Sequence, residues 1–95
     1  MNKVYLEVIL MGFLDSLRKP KWQSKDWKKR LEAVKELDDQ EILIDLAQND
    51  PDKDVREAAV KKVDDKAVLI SISENDPDLD VREAAVKRLA MSMFS

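Results

Sequence analysis

Acidic side chains at helix-spaced breaks, and arginines at a fixed distance behind them, are the residues of this chain whose types and spacing could do chemistry. Paired carboxylates stand at Asp38-Asp39 and Asp64-Asp65, and two Asp-Pro-Asp turns occupy 50–52 and 76–78. Such pairs suit general acid–base catalysis or Ca²⁺ binding. Here each precedes an apolar-periodic segment, where a side-chain oxygen caps free N–H groups and the helix dipole favours negative charge. Neither turn has the spacing or the glycine of an EF-hand loop, so capping is the expectation and no metal site is expected. Arg56 and Arg82 follow the two turns at the same distance. At 100° per residue Arg56 falls between Val55, Ala59 and Val63, inside the apolar sector. A buried, uncompensated charge costs several kcal/mol, so this arginine needs a carboxylate, and Asp50, Asp52, Asp76 and Asp78 are the natural candidates. The chain has no histidine and no cysteine. No nucleophile stands beside a base and no glycine-rich loop is present, so neither catalysis nor a cofactor is expected.

A second constellation is basic. Residues 18–30 hold seven Lys/Arg against Asp26 alone, while the formal charge of the whole chain is −3. Lys21, Trp22, Lys25, Lys28, Lys29 and Arg30 form a candidate anion-binding set, since cations neutralise phosphates and tryptophans stack on bases. No helix-turn-helix or other reading motif accompanies them. The same run, beside the apolar residues 4–17, could also hold an anionic membrane surface, a reading that ranks below nucleic acid. The plain alternative is a solvated linker with its tryptophans packed on the neighbouring helix.

The elements that must position these residues repeat. Residues 49–61 return at 75–87 with one substitution in thirteen positions, a 26-residue period, and Ala33-Val34-Lys35 and Asp38-Asp39 fit the same offset as an earlier copy. Self-similarity at a fixed period signals stacked repeats. Apolar residues recur at i, i+3, i+4 rather than in alternation, so the fold class is all-α. The spacing predicts helices at about 25–37, 40–48, 53–63, 66–73 and 79–91, with Ser24 capping the first and Asp52 the third. This gives two helix pairs and a half over residues 24–95. Residues 1–23 form an apolar segment and basic linker. That segment is too short for a membrane span and lacks a signal-peptide cleavage site. It reads as a helix covering one end of the stack, or, if Met11-Gly12 is the true start, as an upstream extension in its first ten residues. The absence of cysteine suits a reducing, cytoplasmic setting.

The pattern Asp-Pro-Asp-x-x-Val-Arg-x-Ala-Ala-Val, followed by Val-Asp-Asp-x-x-x-Leu-x-x-Ile, resembles the short HEAT-like repeat of bacterial and archaeal α-solenoid proteins. The resemblance covers roughly residues 24–90. It implies antiparallel helix pairs stacked as a right-handed solenoid, and a structural ladder of Arg56 and Arg82 with Asp50 and Asp76. It also implies a concave surface lined by the second, shorter helix of each pair. With Leu43, Leu46 and Ala47 facing the core, Ile44 lies about 120° away, and Ile70 is its repeat mate. Ile44 and Ile70, bordered by Glu41, Asp45, Gln48, Ser71 and Glu74, form the candidate partner-binding strip. The expected function is therefore non-catalytic binding of a protein or peptide. Nucleic-acid binding by residues 18–30 is one alternative. The other is self-association through an apolar C-terminal end at Leu89, Met91, Met93 and Phe94.

Overall fold

The computed structural model describes residues 20–94; the apolar segment 1–17 lies outside them. Among the described residues there are five α-helices and no strand: α1 Trp27–Glu36, α2 Gln40–Asn49, α3 Lys53–Val60, α4 Lys66–Asn75 and α5 Leu79–Phe94. A 3₁₀ turn, Lys21–Gln23, precedes α1.

Aspartates start the helices. Asp39 accepts hydrogen bonds from the Glu41 and Ile42 N–H groups, and Asp65 accepts from Val68 N–H. Asp52 accepts from Asp54 and Val55 at 2.9 and 3.2 Å, and Asp78 accepts from Asp80 and Val81 at the same two distances. Asp26, not Ser24, caps α1, accepting from Lys28 N–H at 3.0 Å. The Ser24 hydroxyl instead accepts from Asp26 N–H, two residues on. Asp52→Ala should cost about 1 kcal/mol of stability, while Asp52→Asn should cost a few tenths, because asparagine caps nearly as well. Urea denaturation followed by circular dichroism measures both, and equal losses would contradict capping as the role of Asp52.

Two helix ends differ from the periodicity. α3 stops at Val60 and not at Val63, because Lys61 and Lys62 turn the chain, with Lys62 N–H bonding to Ala59 O and Val63 N–H to Val60 O. α5 runs on to Phe94 instead of ending near Met91. Ala90 and Met91 stand where the preceding copy has Asp64-Asp65, so nothing there offers a new cap to break the helix.

The core follows the repeat. Val55 and Val81 are both fully buried, as are Ala59 and Ala85, and Leu43 and Leu69 hold the same inward position on α2 and α4. Each such valine or leucine stabilises the fold by roughly 1.5–3 kcal/mol. Paired alanines on α3 and α5 let neighbouring helices approach: α1 packs on α3, and α3 on α5. The closest neighbours in sequence straddle the Asp-Pro-Asp turns. α2 packs on α3 and α4 on α5, more closely than α1 on α2 or α3 on α4. The 3₁₀ turn packs on α1 in the corresponding way and brings Trp22 against the core.

A further set of bonds ties each of α3 and α5 to the long helix before it. Lys62 reaches back to the C-terminal end of α1, donating to the carbonyls of Val34, Lys35 and Leu37. Its repeat mate Arg88 donates to Val63 O at 3.0 Å and to the Asp64 carboxylate at 2.5 Å. A cation is favoured where helix carbonyls are left unpaired. Gln40 adds a bridge, donating to Lys62 O and accepting from Asp64 N–H.

Candidate functional site

The side chains expected to carry binding sit on α2 and α4. Leu43 and Leu46 turn inward on α2, and Leu69 and Ile72 do so on α4. This leaves Glu41, Asp45, Gln48, Ser71 and Glu74 exposed. The two isoleucines differ. Ile70 is 48% exposed, whereas Ile44 is half-buried and packs partly on the core. Asp45 is steadied by the Asn49 amide at 2.8 Å. α2 carries no cation, and its two acids, Glu41 and Asp45, are both exposed.

Two clefts open at the C-terminal ends of the short helices, and they are repeat mates. One, of about 230 Å³, is lined by Gln48, Asp50, Arg56, Ser71, Ile72, Asn75, Asp76 and Pro77. The other, of about 260 Å³, is lined by Trp22, Gln23, Arg30, Asp45, Leu46, Asn49, Asp50 and Pro51. Trp22 thus stands where Gln48 stands one repeat later. Both fall below the roughly 300–1,000 Å³ of enclosing small-molecule sites, so they suit side chains of a surface-bound partner better than a substrate.

The arginines and turn aspartates form the back wall of these clefts. Arg56 donates through Nε and Nη2 to the two Asp76 carboxylate oxygens at 3.0 and 3.4 Å, and through Nη1 to Asp50 O at 2.8 Å. Arg30 does the same one repeat earlier. Its Nε and Nη2 donate to Asp50 at 2.8 and 3.1 Å and its Nη1 to Ser24 O at 2.8 Å. Each aspartate also accepts the N–H two residues on, Asp52 for Asp50 and Asp78 for Asp76. Arg82 keeps the bond to its own turn, Asp76 O at 2.6 Å. The rungs are nearly dry, with the Arg30 and Asp50 side chains 11% and 2% exposed. The hydrogen bond to Asp50 holds the Arg30 guanidinium above its ordinary pKa, against the lowering effect of burial. A raised folded-state value means this contribution is complete below the ordinary arginine range and is lost only as pH climbs through the raised value.

Arg30 therefore leaves the anion-binding set in which its neighbours placed it. Its guanidinium is committed to Asp50, and its position is that of Arg56 and Arg82, 26 residues apart in turn. That spacing, with Ser24, Asp50 and Asp76 in the same register, is the signal that could have found it. Lys21, Lys25, Lys28 and Lys29 are exposed, while Trp22 is half-buried. The more exposed tryptophan is Trp27, 38% exposed, with the Lys28 ammonium 5.8 Å from its ring centroid. At the C-terminal end, Leu89 is half-buried, Met91 and Met93 are exposed, and the Phe94 side chain lies outside the described residues.

Among the described residues no group of three or more acids is placed to hold a metal ion, and no helix is long and apolar enough to cross a membrane. Comparison with family models, with curated proteins and with solved structures returns no match.

Proposed function

We propose that this protein is a non-catalytic binding module, a short HEAT-like solenoid that takes a protein segment along α2 and α4. The observation that carries this reading is the exposed Ile70 on α4, taken with the exposed acids Glu41 and Asp45 on an α2 that carries no cation and with the two repeat-related clefts at the ends of these helices. Asp39, Asp52, Asp65 and Asp78 cap helices, and Asp50 and Asp76 hold arginines. Charge complementarity selects a basic partner segment with an apolar side chain to cover Ile70.

Capture of partners from native lysate by the tagged protein, with and without nuclease, tests this. A bound protein should survive nuclease and fall at least tenfold with Ile70→Asp, yet persist when Lys21, Lys25, Lys28 and Lys29 become Gln. A second reading rests on those four lysines and Trp27, which are free to meet phosphates and a base. If the captured material vanishes on nuclease treatment and on the lysine substitutions, with binding that falls steeply with salt, that reading replaces the first.

A further inference from the structure

The long helices leave two grooves between them, and these are repeat mates. One, of about 480 Å³, lies where α1 packs on α3, and its lining includes Lys35, Ala58, Lys61 and Lys62. The other, of about 290 Å³, lies where α3 packs on α5 and is lined by Lys61, Ala84, Lys87, Arg88 and Met91. The first four of these stand 26 residues after the four named in the earlier groove. Lys61 borders both.

The two grooves differ in charge. Asp54 and Glu57 also line the first, so its lysines face carboxylates within the same groove. The second has three cations and no acid in its lining. Lys61 meets Glu57 only at 3.8 Å, and Arg88 is held by Asp64 at 2.5 Å. Lys87 is exposed and has no carboxylate partner among the described residues.

They differ also in their apolar lining. Met91, 65% exposed, stands where the preceding copy has Asp65, the cap of α4. With that break missing, α5 runs on and carries the methionine to the groove. An unbranched, polarisable thioether adapts to whatever apolar group it meets. Ala84 beside it is buried and small, and the lysine stems add apolar wall below their ammonium groups.

We propose that the Lys61–Lys87–Met91 groove between α3 and α5 is a docking site for an acidic segment of another protein, anchored by one large apolar side chain. The anchor lies on Ala84 and Met91, and the flanking carboxylates meet Lys87 and Lys61. Charge complementarity selects this occupant, since a basic segment would set cation against cation. A phosphate backbone would answer the lysines but leave Met91 uncovered. The volume sets the size of the anchor, because about 290 Å³ falls just short of sites that enclose a whole small molecule. No residue of α2 or α4 lines this groove, so it stands whether or not those helices bind a partner.

The test uses a labelled peptide with one phenylalanine between runs of glutamate, and fluorescence anisotropy against the whole protein at low ionic strength. Saturable binding is expected. Alanine for the phenylalanine, Met91→Asp, or Lys61→Gln together with Lys87→Gln should each weaken it about tenfold or more. Ile70→Asp, or Gln at Lys21, Lys25, Lys28 and Lys29, should leave it unchanged. All the substituted side chains are exposed, so the variants should keep the helical dichroism of the parent. No binding at millimolar peptide overturns the proposal. So does equal binding of the alanine peptide, which would reduce the groove to bulk charge attraction. Binding lost with the four-lysine variant but kept without Lys61 and Lys87 overturns it in favour of the basic segment. An oligonucleotide that binds more tightly, with the same dependence on Lys61 and Lys87, gives the groove to phosphates instead. Concentration-dependent self-association that Met91→Asp abolishes gives it to a second copy.

Discussion

Asp50→Ala is expected to remove about 3–5 kcal/mol of unfolding free energy, a large share of the roughly 5–15 kcal/mol that small domains possess. The expectation follows from how much one carboxylate holds. Asp50 takes both donors of the Arg30 fork and, through Oδ1, the Asp52 N–H that shapes the turn into α3. Removing it leaves the Arg30 guanidinium, only 11% exposed, without a counter-charge. The cost is chiefly that of the stranded cation, not the net worth of the pair. Two further substitutions separate these terms. Asp50→Asn keeps an oxygen for the Asp52 N–H and should lose less than Asp50→Ala. Combining Asp50→Leu with Arg30→Met removes both charges and should recover much of the loss, as replacement of whole buried ion pairs by apolar residues does elsewhere. Urea denaturation monitored at 222 nm reads all three. A loss below about 1 kcal/mol for Asp50→Ala would place this rung with ordinary exposed ion pairs.

The ladder also shows what was legible in the amino-acid sequence and what was not. Helical class, the 26-residue period and the need of Arg56 for a carboxylate all follow from local rules. Which aspartate it takes does not, because Asp50 and Asp52 in the turn before it and Asp76 and Asp78 in the turn after it are all candidates. Arg30 was hidden for a different reason. It closes a run of cations whose obvious meaning is collective, and its first-copy turn has Ser24 where the later ones have aspartate. Only the 26-residue offset to Arg56 and Arg82 sets it apart from Lys28 and Lys29. Lys62 and Arg88 were equally inconspicuous, since a cation bonding to the carbonyls of a helix two elements away leaves no local signature. The ends of α3 and α5 shifted because they depend on one or two residues. Lys61-Lys62 turn the chain early in one copy, and Ala90-Met91 fail to stop it in the next.

The partner surface is less legible still. Ile44 and Ile70 are repeat mates, and periodicity gives them one role. Packing separates them, burying half of Ile44 and leaving Ile70 out. Similar reasoning distinguishes Trp22 from Trp27, five residues apart in a basic run, the first packed against the core and the second more exposed. A repeat specifies equivalent positions. Neighbours decide whether equivalent residues are covered, and that is why Val60 is buried and Val86 exposed.

Leu69→Ala is expected to cost about 2–5 kcal/mol, with the loss felt throughout the chain. Leu69 is 1% exposed on α4 and belongs to one continuous cluster that runs from Val34 to Ala85. Both tryptophans lie before or within α1, so their fluorescence reports the first unit, while circular dichroism also reports the helices that follow it. In a weakly coupled repeat array, a cavity in α4 would leave the tryptophan transition where it was. Here adjacent units are fastened at both edges, by Arg30 and Arg56 on one side and by Lys62, Arg88 and Gln40 on the other. Breaking the packing of α4 should therefore lower both transitions together, by the same free energy, as a single two-state unit requires. A tryptophan midpoint unmoved by Leu69→Ala, with a displaced or broadened dichroism transition, would mean that the rungs fix geometry without joining the units into one cooperative fold.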